Sequence, residues 1–190
     1  MRILISGGCK NGKSYYAQHI AQSQWKTRQS YPLYYIATMK PVDREDDERI
    51  TRHKKERSGW GFTTIEQPTD IENILQNCDH NGSFLLDSLT ALLANEMFSE
   101  YNNINDKAAL KIKLQLSRVL EKIDNIVIVS DYIYSDAALY DQLTEKYRKS
   151  LAEIDYAAAR LCDAVLEITF TCVTIHKGNE IFDAAFKKIF

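Results

Sequence analysis

Short, nearly continuous apolar runs alternate along this chain with longer stretches whose apolar residues recur at helical spacing. Residues 3–6 (Ile-Leu-Ile-Ser) run into glycines, and a helix-compatible stretch follows over 13–24. Residues 33–38 (LYYIAT) predict a second strand, and the intensely charged 43–57 has helical composition. A short strand is expected at 62–66, a short helix at 70–77, and a buried strand at 83–87 (SFLLD). The next helix, 88–98, would turn Leu89, Leu92, Leu93 and Ala94 inward. Residues 106–122 predict an amphipathic helix with its apolar face through Leu110, Leu114 and Ile123. Residues 126–130 (IVIVS) give the strongest strand signal. A long helical region over 136–162 follows, with a break near Tyr147 as an option, and then β-branched residues over 164–176 suit one bent strand or a terminal pair.

Strands separated by helices imply βαβ units. The fold expected is therefore α/β, a mostly parallel sheet with helices on both faces, and the G-x-x-x-x-G-K-S run at 7–14, between the first strand and the first helix, makes it P-loop NTPase-like (RecA-like). With 190 residues and no repeat or linker, a single domain over 1–190 is expected. In the tail, 179–190, Phe182, Phe186, Ile189 and Phe190 fall at helical spacing, so a docked helix or a subunit contact is expected.

Composition narrows the class without choosing the chemistry. Apolar content of 45% and charged content of 26% are ordinary for a globular chain. A formal charge of −2 argues against a nucleic-acid or anionic-membrane binder. Neither a signal peptide nor a bilayer-length apolar stretch is visible, so a cytoplasmic protein is expected. Cys9, Cys78, Cys162 and Cys172 form no C-x-x-C pair, which fits reduced thiols better than structural zinc.

Chemistry enters at Gly7-Gly8-Cys9-Lys10-Asn11-Gly12-Lys13-Ser14, which satisfies G-x-x-x-x-G-K-[ST] at every fixed position. Glycines let the backbone curl so that successive N–H groups point inward at phosphate oxygens, and the helix that follows adds its positive end. Lys13 is placed to reach the β- and γ-phosphates, and the Ser14 hydroxyl to ligate Mg²⁺. A carboxylate at the end of a neighbouring strand should complete the cation site. Asp87 is the first candidate, although it could instead cap the following helix. Asp131 is the second.

Arg49, His53 and Arg57 lie four residues apart, on one face of the charged helix. Two guanidiniums can grip phosphate and favour a neutral, nucleophilic imidazole between them. By spacing alone, a solvated surface histidine is the plainer reading.

In combination these residues resemble the bifunctional adenosylcobinamide kinase/adenosylcobinamide-phosphate guanylyltransferases of cobalamin assembly. The resemblance rests on five blocks. They are the N-terminal GGCKNGKS; Tyr35-Ile36-Ala37-Thr38 with Arg49-Ile50, His53 and Arg57; and Phe62-Thr63-Thr64-Ile65-Glu66. The fourth is Asp87 through Asn95, similar to D-x-L-T-x-x-L-x-N, and the last is Tyr147-Arg148 through Val165. The family implies phosphorylation of the aminopropanol hydroxyl of adenosylcobinamide by ATP or GTP with Mg²⁺. GMP transfer through a histidine follows, and His53 occupies that histidine's place. The family also implies small-molecule partners and a homo-oligomer, a trimer.

The chain departs from the family after the 126–130 strand. N-E-V-G-x-G-I-V-P is replaced by Asp131-Tyr132-Ile133-Tyr134-Ser135-Asp136, while Asp155 stands for Asn, Ala152 for Gly and Ser58 for Pro. Two other readings stay open, the first of them because of that rebuilt loop. One is a P-loop small-molecule kinase without nucleotidyl transfer, and the other a non-catalytic nucleotide-sensing protein.

Overall fold

The computed structural model of the chain describes residues 1–41, 51, 55, 57–98 and 104–180. Seven strands form one sheet: β1 (Arg2–Gly7), β2 (Leu33–Ala37), β3 (Phe62–Glu66), β4 (Ser83–Asp87), β5 (Ile126–Val129), β6 (Ala164–Thr169) and β7 (Cys172–Lys177). Their order across the sheet is β3-β2-β4-β5-β1-β6-β7. All neighbours pair in parallel except β7, which folds back antiparallel on β6. The helices are α1 (Lys13–Lys26), a single turn α2 (Ile74–Asn77) continuing a 3-10 turn at Ile71–Asn73, α3 (Leu89–Met97), α4 (Ala108–Lys122) and α5 (Gln142–Leu161).

The burial pattern explains why the central strands read as unbroken apolar runs. β5 is buried at all four positions, because both faces of a parallel strand are covered. Alternate residues feed two cores. Ile3, Ile5, Leu85 and Val127 pack with Ala17, Ile20 and Ala21 of α1 on one face. Leu4, Phe84, Leu86 and Ile128 pack with residues of α3, α4 and α5 on the other, among them Leu92, Ile112 and Ile154. The edge strand β3 has Thr63 and Thr64 exposed, as an uncovered edge allows.

Most predicted elements are present, among them the terminal strand pair expected as one option over 164–176, and three differences lie in the helices. The apolar face of α4 runs through Ala108, Ile112, Leu116 and Val119, whereas Leu110 and Leu114 are 54% and 52% exposed. Two stripes at i, i+4 spacing coexist on this helix, and packing against α5 and the 3-10 turn selects the first. α5 begins only at Gln142, because Asp141 accepts hydrogen bonds from the Leu143 and Thr144 amides and so caps it there. It then continues through Tyr147 without a break. The 164–176 stretch is a hairpin whose turn residues Phe170 and Thr171 both take positive φ, 49° and 64°. That conformation matches the tight turns that suit twisted antiparallel strands. The helices expected over 43–57 and 179–190 lie almost wholly outside the described residues, which include only 51, 55 and 57 of the first and 179 and 180 of the second.

Candidate active site

The ends of β1, β4 and β5 converge at one edge of the parallel sheet, where open α/β sheets place their ligand sites. Gly7 closes β1 in a position no other residue can hold. With φ at 154°, a Cβ there would lie 2.2 Å from the Ile168 carbonyl oxygen of β6. The turn continues through Gly8, exposed Cys9, exposed Lys10 at φ 60°, and Asn11 to Gly12, which occupies the N-cap of α1 at φ 88°. Since no side chain caps this helix, its first-turn amides and dipole face the loop. Such a helix start is an anion site by construction.

Lys13 is 6% exposed and folds back over the loop. Its ammonium donates to the Gly8 carbonyl at 2.6 Å and pairs with Asp131 Oδ1 at 2.7 Å. Ser14, one residue on, donates through Oγ to Asp87 Oδ2 at 3.4 Å. Asp87 terminates β4, in register with Ala37 of β2 and Val129 of β5. The capping alternative for Asp87 does not hold: Ser88 is the N-cap of α3, its side chain accepting from the Ala91 amide. Asp87 therefore keeps its carboxylate for the loop. Nor is β4 the immediate neighbour of β1, as the sequence reading supposed. β5 lies between them, so the carboxylate reaches Ser14 from one strand further across.

Ser14 and Asp87 fit a hard cation. Both offer oxygen, and cis oxygens around Mg²⁺ at about 2.1 Å lie roughly 3.0 Å apart, so a closure of a few tenths of an ångström suffices. Sequence reasoning missed the residue that holds Asp87 in place. The Tyr35 hydroxyl donates to the same Asp87 Oδ2 at 2.7 Å. Parity was the available signal, because Ala37 aligns with Asp87 and Tyr35, two residues earlier, shares its face.

The Arg57 guanidinium lies over the Tyr35 ring at 3.5 Å, and the ring meets Phe62 edge-on with centroids 6.0 Å apart. Arg57 is buried, and its Nε has no hydrogen-bond partner among the described residues. A cavity of about 470 Å³ opens beside it, lined by Arg57, Ser58, Gly59, Gly61, Phe62 and Thr64. A cation, an aromatic face and a carboxylate thus link this cavity to the phosphate loop. Arg49 and His53 lie outside the described residues.

The rebuilt 131–136 loop is tightly held. The Tyr132 amide donates to the Gly7 carbonyl, and the Asp131 amide to Thr90 Oγ1, both at 2.9 Å. Arg148 donates to the Ile133 carbonyl and pairs with Asp136. Below the loop, Asp155 Oδ2 accepts from Ser130 Oγ at 2.9 Å and from the Tyr134 hydroxyl at 3.0 Å. Burial pushes the Asp155 carboxyl up to about 6 against those two hydrogen bonds, and the negative Asp131 adds to the rise. The buried Tyr134 hydroxyl is itself pushed upward, first by burial and then by Asp155.

A parallel sheet with a glycine-rich loop running from β1 into α1, a lysine and a serine at that helix start, and a carboxylate two strands away defines a P-loop nucleotide-binding protein of RecA-like topology. The chain belongs to the cobinamide kinase / cobinamide phosphate guanyltransferase family, CobU, whose sequence profile matches residues 3–173. It is accordingly an enzyme of cobalamin biosynthesis, with phosphotransferase and nucleotidyltransferase activity as its family's trade. No curated protein matches it. Among solved structures, a Pyrococcus horikoshii OT3 protein from a structural study superposes with a TM-score of 0.52 at 11% identity, covering 94% of this chain and 86% of its own. A KaiC-like protein of the same archaeon scores 0.49 at 14% identity (94% and 79% covered). Flagellar accessory protein FlaH of Methanocaldococcus jannaschii scores 0.41 at 19% identity (94% and 78% covered). Among the described residues no helix is long and apolar enough to cross a membrane.

Proposed function

We propose that the chain phosphorylates the aminopropanol hydroxyl of adenosylcobinamide and then transfers GMP to the product through His53, acting as a single cytoplasmic domain. The observation that carries the reading is the convergence of Lys13, Ser14 and Asp87 at the mouth of the β1–α1 turn, within a chain of this family. The loop amides from Gly7 to Ser14, with the start of α1, bind the phosphates of ATP or GTP. Lys13 exchanges its contacts with Gly8 and Asp131 for phosphate oxygens and meets the charge that develops on the leaving diphosphate. Ser14 and Asp87 hold Mg²⁺, which when bound supplies further positive charge at the transferring phosphoryl group. Tyr35 keeps the Asp87 carboxylate turned toward the loop.

In the second half, a His53 ring nitrogen attacks the α-phosphorus of GTP and pyrophosphate leaves. The phosphorylated cobinamide then displaces the histidine and takes the GMP. Arg49 and Arg57 are the cations for these phosphates, and the cavity beside Arg57 gives the second of them an open face. Assembly as a homo-oligomer, a trimer by family resemblance, belongs to the same proposal and is read by light scattering.

Intact-mass spectrometry after incubation with Mg²⁺ and GTP tests the transfer half. One added GMP is expected on the wild type and none on His53→Ala. An unchanged wild-type mass, alongside NTP-dependent phosphorylation of cobinamide, would favour the kinase without nucleotidyl transfer, for which the rebuilt 131–136 loop speaks.

A further inference from the structure

We infer that Asp131 is the general base of the phosphorylation step, taking the proton from the acceptor hydroxyl as it attacks the γ-phosphorus. The inference rests on the kinase reading above and adds to it a residue whose place in the chemistry comes from geometry.

Asp131 follows β5, the strand between the phosphate-loop strand β1 and the Asp87 strand β4. Its backbone is fixed from several sides. Ser130 donates its amide to Ile5 of β1 and its hydroxyl to buried Asp155. The Asp131 amide itself donates to Thr90 Oγ1 at the start of α3, and the Tyr147 hydroxyl holds the Thr90 carbonyl at 2.8 Å. The next amide, of Tyr132, is bound by Gly7 in the loop. A side chain carried on so constrained a backbone is held where it is, as acid–base chemistry requires.

The carboxylate is 30% exposed and lies 2.7 Å from Lys13 Nζ. In a P-loop that ammonium contacts the β- and γ-phosphates. A carboxylate one hydrogen bond from it is therefore at the γ-phosphate end, within reach of a hydroxyl poised about 3 to 3.5 Å from phosphorus. Of the two carboxylates at this mouth among the described residues, Asp87 is engaged by Ser14 and Tyr35, and Asp131 has neither of those ties.

The step balances without another reactant. The acceptor O–H bond breaks and its proton passes to an Asp131 oxygen while the new O–P bond forms. The bond from γ-phosphorus to the bridging oxygen breaks, its electron pair leaving with the nucleoside diphosphate beside Lys13.

The test compares wild type, Asp131→Asn and Asp131→Glu in two readouts. One is the Kd of a fluorescent GTP analogue, and the other is the single-turnover rate of cobinamide phosphorylation. Asparagine can still accept a hydrogen bond but cannot take the proton. Expected for Asp131→Asn is a rate lower by about a hundredfold or more, with nucleotide affinity held or tightened. Asp131→Glu should recover part of the loss. If Asp131→Asn instead binds nucleotide more tightly and transfers phosphate as fast as wild type, Asp131 is only a counter-ion for Lys13 and the inference is overturned. A rate loss accounted for entirely by weaker nucleotide binding overturns it equally. A wild type that binds nucleotide yet never phosphorylates cobinamide is a different result: it removes the kinase reading, and this inference with it.

Discussion

Asp155 offers a quantitative test of how the rebuilt loop is held. It is 4% exposed, with one oxygen bonded to Ser130 and Tyr134 and the other, Oδ1, buried without a partner among the described residues. Its carboxyl is raised from 3.8 to about 6, so the folded state holds this proton more tightly than the unfolded chain does. A raised folded value means the stabilisation is complete below the unfolded value and is lost as pH climbs through about 6. At 1.36 kcal/mol per unit, the whole effect is about 3 kcal/mol, of which about 2 falls between roughly pH 4.5 and pH 7.5. Asp155→Asn cannot titrate and removes this term, whatever its fixed cost from an unpaired amide N–H. Thermal unfolding followed by circular dichroism should therefore show the variant gaining on the wild type by roughly 4 to 8 °C across that range. Other carboxylates act on both proteins alike and cancel in the difference. A gap in Tm that stays constant with pH would refute the reasoning and mean that Asp155 is ionised in the folded protein at low pH as well.

Three further outcomes follow from other parts of the structure. Gly7→Ala should destabilise the protein by about 3 kcal/mol in urea unfolding, because its Cβ meets the Ile168 backbone rather than a movable side chain; a loss under about 1 kcal/mol would show that β1 and β6 can part without cost. The double substitution Phe170→Asn, Thr171→Gly relieves two non-glycine residues of positive φ and should raise stability by about 1 to 2 kcal/mol in the same assay; no gain would mean that the side chains of Phe170 and Thr171 offset the cost of their backbone conformation. Tyr35→Phe removes the donor that orients Asp87 and should weaken the Mg²⁺ dependence of nucleotide binding by about tenfold, with binding in EDTA unchanged; equal loss in both conditions would make Tyr35 a packing residue.

The parts of the fold that local pattern can specify were legible in the chain. β3 and β4 occur at their predicted bounds because Phe62–Glu66 and Ser83–Asp87 are flanked by turn residues that break pairing. The phosphate loop was legible because its chemistry requires glycine, lysine and serine at fixed offsets. What local pattern cannot carry is the choice among equivalent surfaces. The two stripes of α4 both satisfy helical spacing, and only packing against α5 and the 3-10 turn decides that Leu110 and Leu114 stay outside. Strand order is likewise nonlocal, so the insertion of β5 between β1 and β4 could not be read, nor could the pairing of Lys13 with Asp131 that depends on it. Tyr35 was hidden for a related reason: its hydroxyl acts across a strand pair 52 residues apart in sequence.

The proposed chemistry depends on the β1–α1 turn taking up the triphosphate of a nucleotide. Isothermal titration of the wild type and of Lys13→Ala with GTP in the presence of Mg²⁺ measures this directly. The account predicts one nucleotide bound per chain, with affinity reduced about a hundredfold or more when the Lys13 ammonium is removed. No binding by the wild type, or equal binding by the two proteins, would contradict it.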